Sequence, residues 1–414
     1  MDDPLPNKGS SVLNRISRIF RREGLRGFYV RLRHPKQRVS GRFDMPTLKP
    51  PFMFVGGTDA QVKRLREAFR LLPGFLVAPD QGYAEHVIRL APAIAEPAPG
   101  TDCTILWSTP EEVKAFCRHG RKARQWLGNA AAVLVPSSAC FQHLATLGLS
   151  EGRIFVLSPA HAGPGELAGG LARWLIAGRI LSPRDIDVTL FPALSGLGPS
   201  ARLCLSLPEA PWRRNAFLAC DLPDFKIFDG IRLSPGWIGC GWSYGTIARA
   251  ALALDATPLV ICEDDIAPPL GFRQKLQRVE NYLAGQDWDL FSGLLTDLPE
   301  TARIDRVTRL DGITFIHLDY ATGMVLNIYG PRVLAHLAAW SPEAGPVRTN
   351  TIDAWLSELP GLRVITTVPF LVGHDSQARS TLFGFANQRY DSMIRASENR
   401  LQRMVEAFER ARMR

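Results

Sequence analysis

Between residues 50 and 180 the apolar residues fall into short runs, and most are followed by a stretch in which they recur every three or four positions. Phe52–Val55, Phe75–Val77, Thr104–Trp107, Ala132–Val135 and Ile154–Leu157 read as strands; Ala60–Leu72 and Glu111–Arg124 read as helices. Strands alternating with helices at this spacing predict a parallel sheet covered on both faces, a Rossmann-like α/β domain over 49–180. Ser182-Pro183 and the Gly/Pro/Ser-rich run Ser195–Ser200 predict a linker over 181–200. A second α/β segment follows over 201–387. Residues 388–414 close the chain with a helix from about Asp391 to Met413, carrying Ile394, Leu401, Val405 and Phe408 on one face. The glycine-rich phosphate-binding fingerprints are missing, and Gly56-Gly57 is only a turn signal.

Residues 1–48 follow another pattern. Val12, Ile16, Ile19 and Phe20 share one helix face, with Arg15, Arg18, Arg21 and Arg22 mainly on the other. Such a basic amphipathic helix can lie on an anionic membrane surface; it can equally dock by its apolar stripe on the body. No apolar run reaches the roughly 18–20 residues of a membrane span, and no secretory signal is visible after Met1-Asp2-Asp3.

Charge sharpens this division. The chain of 414 residues has a formal net charge of +9, but residues 1–50 hold twelve Lys/Arg against four Asp/Glu, and the other 364 hold 37 against 36. The basicity belongs to the tail, which argues against a nucleic-acid-binding body. Seven cysteines, an odd number without a CxxC pair, predict reduced thiols in a cytoplasmic protein, peripheral on the inner face of the membrane if the tail binds it.

The candidate chemistry lies in PLVICEDDI, Pro258–Ile266. An apolar run of the kind found in buried parallel strands ends in Glu263, Asp264 and Asp265. Unpaired buried charge is costly, whereas the carboxyl edge of an open α/β sheet is where ligands bind. Carboxylate oxygens there suit Mn²⁺ or Mg²⁺. In extended chain Glu263 and Asp265 face one ligand, and Asp264 faces the other way. The plain alternative is an acidic turn after a strand.

Around the triplet stand LCLSLPEAPWRRNAF, DFKIFDGIRLSPGWIGCGWSYGTIARAAL, ATGMVLNIY, TIDAWL and RVITTVPFLVGH. Taken in order, these segments resemble glycosyltransferase family 25, the lipopolysaccharide and collagen galactosyltransferase family, over about residues 201–387. The shared features are a nearby Arg-Arg, an acid-Gly turn, a Gly-Cys-x-x-Ser segment and a hydrophobic strand ending in Glu-Asp-Asp. Tyr244 stands where the family commonly has His, and Gly373-His374 where many members carry another polar residue. Val133–Pro159 resembles the end of the N-terminal half of two-domain (GT-B) glycosyltransferases.

The resemblance implies a GT-A-like catalytic domain. It implies transfer of a hexose, such as galactose, from a UDP-sugar to a hydroxyl of a glycan or lipid-linked saccharide, with inversion. Asp353 becomes the candidate general base, or a first-turn helix acid capped by Thr351. Glu263, Asp265 and His374 become candidate metal ligands, with His374 otherwise a hydrogen-bonded loop residue. Arg213, Arg214, Asp229, Ser243 and Asp264 become candidate donor contacts. Their plain readings are a solvated helix start for the arginines, an Asp-Gly turn for Asp229 and a helix cap for Ser243. The rival function is a non-catalytic glycan-binding or scaffolding protein on the same fold. A glycosidase fits poorly, because adjacent acids on one strand end do not flank a sugar from both sides.

Overall fold

The computed structural model describes residues 48–74, 76–78, 84, 86–90, 102–107, 109–119, 130–157, 163–378, 381 and 387–413. The amphipathic stripe of residues 12–20, Phe75 and the end of the helix expected to reach Arg124 lie outside them.

The first sheet has five parallel strands in sequence order: β1 (Phe52–Val55), β2 (His86–Leu90), β3 (Asp102–Leu106), β4 (Ala132–Val135) and β5 (Ile154–Val156). The strand expected at Phe75–Val77 reduces, among the described residues, to one parallel bridge from Val77 to the outer side of β1. Strand β2 was not expected. Its HVIRL is buried throughout but carries His86 and Arg89 inside the run, which hides the apolar signature. Helix α1 (Asp59–Arg70) starts at a capping box of Thr58 and Gln61, and α2 (Pro110–Cys117) at one of Thr109 and Glu112, with Pro110 in the first turn. Helix α1 and α4 (Pro164–Ala177) cover one face of the sheet, with Phe52, Ile88, Leu106 and Phe155. The other face, with Ile105, Val133 and Val135, is covered by α2 and α3 (Ser138–Thr146).

The second sheet is mixed. Its strands are β6 (Arg202–Ser206), β7 (Lys226–Asp229), β8 (Leu259–Glu263), β10 (Leu290–Ser292), β11 (Ile304–Leu310), β12 (Ile313–Leu318), β13 (Leu326–Tyr329) and β14 (Val364–Val368). They lie in the order β11-β12-β14-β10-β13-β8-β6-β7. β7, β6 and β8 run parallel, β13 is antiparallel between β8 and β10, and β11 and β12 form an edge hairpin across Asp311-Gly312. A two-stranded ribbon of β9 (Ile266–Ala267) and β15 (Gly373–His374) sits apart. The helices of this half are α5 (Pro211–Ala219), α6 (Gly236–Ala253), α7 (Phe272–Leu283), α8 (Pro331–Ala338), α9 (Val347–Asn350), α10 (Ile352–Ser357) and α11 (Gln388–Arg412). On α11, Leu401 and Val405 are buried as expected, together with Ser397, whose hydroxyl donates to the Thr296 carbonyl.

The segment 181–200, expected as a linker, joins the two sheets but is not a loose spacer. Ile186, Phe191, Leu194 and Leu197 are buried in a hydrophobic cluster that runs through both halves, so apolar burial holds the Pro- and Gly-rich stretch in place. A buried polar joint reinforces the contact. Arg173, on α4, donates to Glu209 Oε2 (2.9 Å), to the Val156 carbonyl (3.1 Å) and to the Gly230 carbonyl (2.9 Å). Glu209 Oε1 in turn accepts from the Val156 amide at 3.0 Å. Every polar atom of this pair faces a partner, the condition under which a buried ion pair is tolerated. Among the described residues no helix is long and apolar enough to cross a membrane.

Candidate active site

The run Leu259–Cys262 is buried in β8, flanked by β6 and β13, so Glu263 emerges at the carboxyl edge of the second sheet. The strand stops there, and Asp264-Asp265 form a turn before β9. This corrects the expectation that Asp264 faces away from its neighbours. Side-chain alternation holds only while the backbone is extended, and in the turn Asp264 and Asp265 converge on one guanidinium.

That guanidinium is Arg213, on α5. Its Nε donates to Asp264 Oδ1 at 2.6 Å, and its Nη2 lies 2.9 Å from Asp265 Oδ2. Ser206, at the end of β6, donates to Asp264 Oδ2 at 2.7 Å, so both Asp264 oxygens are engaged within the protein. Asp265 Oδ2 also accepts from Asn387 Nδ2 at 2.8 Å and lies 3.4 Å from His374 Nε2. Pairing of β15 with β9 carries His374 to this position, and the Asp375 amide donates to the Asp265 carbonyl at 2.7 Å. Asp265 Oδ1 and His374 Nδ1 are buried without hydrogen-bond partners.

Four carboxylates gather here: Glu263, Asp264, Asp265 and, from the first turn of α10, Asp353. Burial, then the neighbouring charge of Asp265, pushes the Glu263 carboxyl from an ordinary 4.5 up to about 8, with Arg213 opposing. Burial also raises Asp264 despite its bonds to Arg213 and Ser206. Burial works against Asp265 too, but there Arg213, His374 and Asn387 prevail and hold the carboxyl well below the carboxylate range. The result is a fixed anion, Asp265, beside an acid, Glu263, that keeps its proton near neutrality.

The remaining candidates fall into two groups. Asp353 joins the cluster: its charge is felt by Glu263, by the Cys240 thiol and by the Tyr390 hydroxyl, the last two raised mainly by burial. Its Oδ1 accepts from the Ala354 amide at 3.0 Å, and Thr351 precedes α10 without a side-chain capping bond. Arg214 and Asp229 pair with each other at the ends of α5 and β7, and Arg214 Nε lies 3.4 Å from Ser206 Oγ, so this pair borders the Asp264 side of the cluster. Ser243 is not at a helix start. Helix α6 begins at Gly236, and Ser243 is buried in its middle, donating to the Gly239 carbonyl (2.7 Å) and accepting from the Ile231 amide (2.8 Å). Its hydroxyl thus ties the loop after β7 to the helix. Gly239 allows that approach, since a Cβ there would come within 2.4 Å of the Ile231 carbonyl oxygen.

Two contributors were missed in the sequence. Asn387, immediately before α11, is buried, and its Nδ2 lies 2.9 Å from His374 Nε2 and 3.2 Å from the Asp375 carbonyl oxygen. Tyr390, one turn on, sets its ring edge-on to His374 with centroids 6.0 Å apart. Neither position carries a sequence signal, because both reach the triplet through the final helix, more than a hundred residues away. Asp289, just before β10, is buried and bonded by Arg332 and Arg363 on the far side of the sheet.

Among the described residues no group of three or more His, Cys, Asp or Glu side chains is already converged as a metal cage. The pH response offers a direct check on the cluster. A carboxyl whose folded value lies above its unfolded value stabilises the fold in full below the ordinary carboxylate range, and that contribution is lost as pH rises to about 8. Without divalent metal, the wild-type melting temperature should fall between pH 5 and pH 9, and Glu263→Gln should flatten the fall. Parallel profiles for the two proteins would show that Glu263 is not the group responsible.

Comparison with protein-family models gives no match, and comparison with curated proteins gives none either.

Proposed function

We propose that the chain is a metal-dependent glycosyltransferase that moves a hexose, such as galactose, from a UDP-sugar to a hydroxyl of a surface-glycan precursor such as lipopolysaccharide. The observation that carries this reading is the meeting of Glu263, Asp265 and Asp353 at the carboxyl edge of the mixed sheet, where α/β sheets take their ligands. Residues 201–387 are then a GT-A-like catalytic domain beside the Rossmann-like half.

The residues fit a divalent ion. Asp265 Oδ1 is a buried acceptor without a partner, and three carboxylates, Glu263, Asp264 and Asp265, crowd one Arg213. A small hard cation in a phosphate site needs only one or two carboxylates, with water and substrate phosphates completing its shell. Asp265 through Oδ1 and Glu263 would hold it, with His374 alongside. Bound there, the ion supplies charge neutralisation for the diphosphate leaving group.

The chain's own groups do the rest. Arg213 fixes Asp264 and Asp265 in one orientation before any ligand arrives, which is electrostatic preorganisation. Arg214 offers a guanidinium to a phosphate and Asp229, half exposed, an acceptor to ribose or uracil. Asp353 takes the proton of the attacking hydroxyl. Residues 1–48, where the surplus positive charge lies, would hold the enzyme at an anionic membrane surface that carries the acceptor.

UDP release from a panel of UDP-sugars, with Mn²⁺ and with EDTA, tests the reaction. Metal-dependent release from one sugar is expected. Calorimetric titration with UDP should show binding strengthened by Mn²⁺. UDP affinity without release from any sugar would favour the binding-protein reading, and no UDP affinity under either condition overturns both.

A further inference from the structure

Two tryptophans stand on α6, and their surroundings differ. Trp242 is 8% exposed, with the Trp340 ring perpendicular to it at 5.5 Å and the Arg184 guanidinium over it at 5.4 Å. Its ring serves packing. Trp237, in the first turn of the helix, is only partly buried. Trp340 stands perpendicular to it as well, with centroids 6.0 Å apart, and so covers at most one of its faces. The Trp237 N–H makes no hydrogen bond among the described residues, whereas Trp288, Trp340 and Trp355 each donate theirs to a backbone carbonyl. A partly open indole with an unused donor presents an apolar face and a polar edge.

Two contacts tie this ring to the acidic cluster. Trp237 and Cys240 lie three positions apart on α6 and share one side of the helix. The Cys240 thiol, also partly buried, lies within the field of Glu263, Asp353, Arg213 and Asp265. Trp237 is one turn further out, about 5.4 Å along the axis, towards the start of the helix. The second tie runs through Trp340. Its ring fits against α6 because position 241 is glycine; a Cβ there would come within 2.4 Å of it. Its Nε1 donates to the Asn350 carbonyl at 3.1 Å, three residues before Asp353. The ring that steadies Trp237 therefore also fixes the chain entering α10, and α10 itself packs on α6. A hydroxyl that gives its proton to Asp353 belongs to the acceptor, so an indole held beside that helix meets the acceptor's side of the site. The C–H face of a pyranose packs on an aromatic ring, and its hydroxyls bond at the ring's polar edge.

We propose that Trp237 is the platform on which the acceptor's terminal sugar stacks, with its indole N–H bonding a hydroxyl of that sugar. The proposal rests on the glycosyl-transfer reading and adds the acceptor class: a saccharide ending in a pyranose with an open apolar face, rather than a lipid or peptide hydroxyl.

The test uses the full chain with Mn²⁺ and UDP. The probes are the methyl β-glycosides of galactose, glucose and N-acetylglucosamine, with glycerol as control, and binding is titrated by saturation-transfer NMR. At least one glycoside should bind wild type, its ring C–H protons receiving the strongest saturation, and glycerol should not. Trp237→Ala should weaken that binding about tenfold or more. Trp237→Phe keeps a smaller ring without the donor and should fall between the two. UDP affinity, measured by calorimetry with Mn²⁺, should stay at the wild-type value in both. Glycoside binding equal in all three proteins, or no glycoside binding to wild type, overturns the proposal. If Trp237→Ala fails to fold, Trp237→Phe decides: weaker glycoside binding at unchanged UDP affinity supports the platform, and wild-type binding makes the ring a packing residue. Loss of UDP affinity in either folded variant puts the ring at the donor and overturns the acceptor assignment. Absence of UDP affinity in wild type is a failure of the transferase reading itself, distinguishable because it appears before any glycoside is added.

Discussion

Asp265→Asn should lower metal-dependent UDP release by about a hundredfold to a thousandfold, the usual loss when one preorganised electrostatic contact to a reacting centre is removed. The substitution is nearly isosteric. Its side-chain oxygen can still accept from Asn387, and Arg213 keeps Asp264 as its counter-charge. What disappears is the negative charge that Arg213, His374 and Asn387 hold ionised. Mn²⁺ should accordingly lose its stabilising effect on the variant in thermal melts, a readout that needs no acceptor or donor. Asp264→Asn is the informative contrast. Both Asp264 oxygens are engaged by Ser206 and Arg213, so its loss should appear mainly as lower stability. An Asp265→Asn protein with unchanged release and unchanged Mn²⁺ response would remove the triplet from the mechanism.

The largest effect on stability belongs to the joint between the two sheets. Arg173→Met should cost about 3–5 kcal/mol, because it leaves the Glu209 carboxylate buried without its counter-charge. The double variant Arg173→Met/Glu209→Gln should recover much of the loss. Glutamine keeps an oxygen for the Val156 amide and brings no charge into the interior. Urea unfolding of the two single variants and the double variant gives the coupling directly. A single variant costing less than about 1 kcal/mol would mean that water reaches Glu209, and the joint would then resemble a surface pair.

The sequence pattern located what depends on local periodicity. Phe52–Val55, Ala132–Val135 and Ile154–Leu157 carry unbroken apolar runs, and their strands lie within a residue of the expected bounds. Strand β2 escaped because a buried His86 and Arg89 interrupt its run; His86 hydrogen-bonds Thr104 on the next strand, an arrangement visible only after pairing. The triplet was legible as charge after a buried strand, and its place at the sheet edge follows from that. Its partners were legible only in part. Arg213 could be singled out, but its use inside the protein, on Asp264 and Asp265, could not. Ser243 was read as a helix cap because its apolar periodicity begins after it, whereas Gly239 and the Ile231 loop draw the helix start back to Gly236. Asn387 and Tyr390 have no local signature, since their role depends on where the last helix docks.

That docking also sets a sequence of events during synthesis. Asp265 and Asn387 are 122 positions apart, and His374 and Asp353 also follow the triplet. The acidic strand end therefore leaves the ribosome after Ser206 and Arg213 but well before Asp353, His374 and Asn387, and before the β10, β13 and β14 strands that complete its sheet. Until residues 374–387 emerge, Asp265 has neither its histidine neighbour nor its amide donor. A chain released early would carry the first sheet and a solvated acidic turn, but no assembled site. The last turns to be made are the ones that complete the surroundings of the acidic strand end.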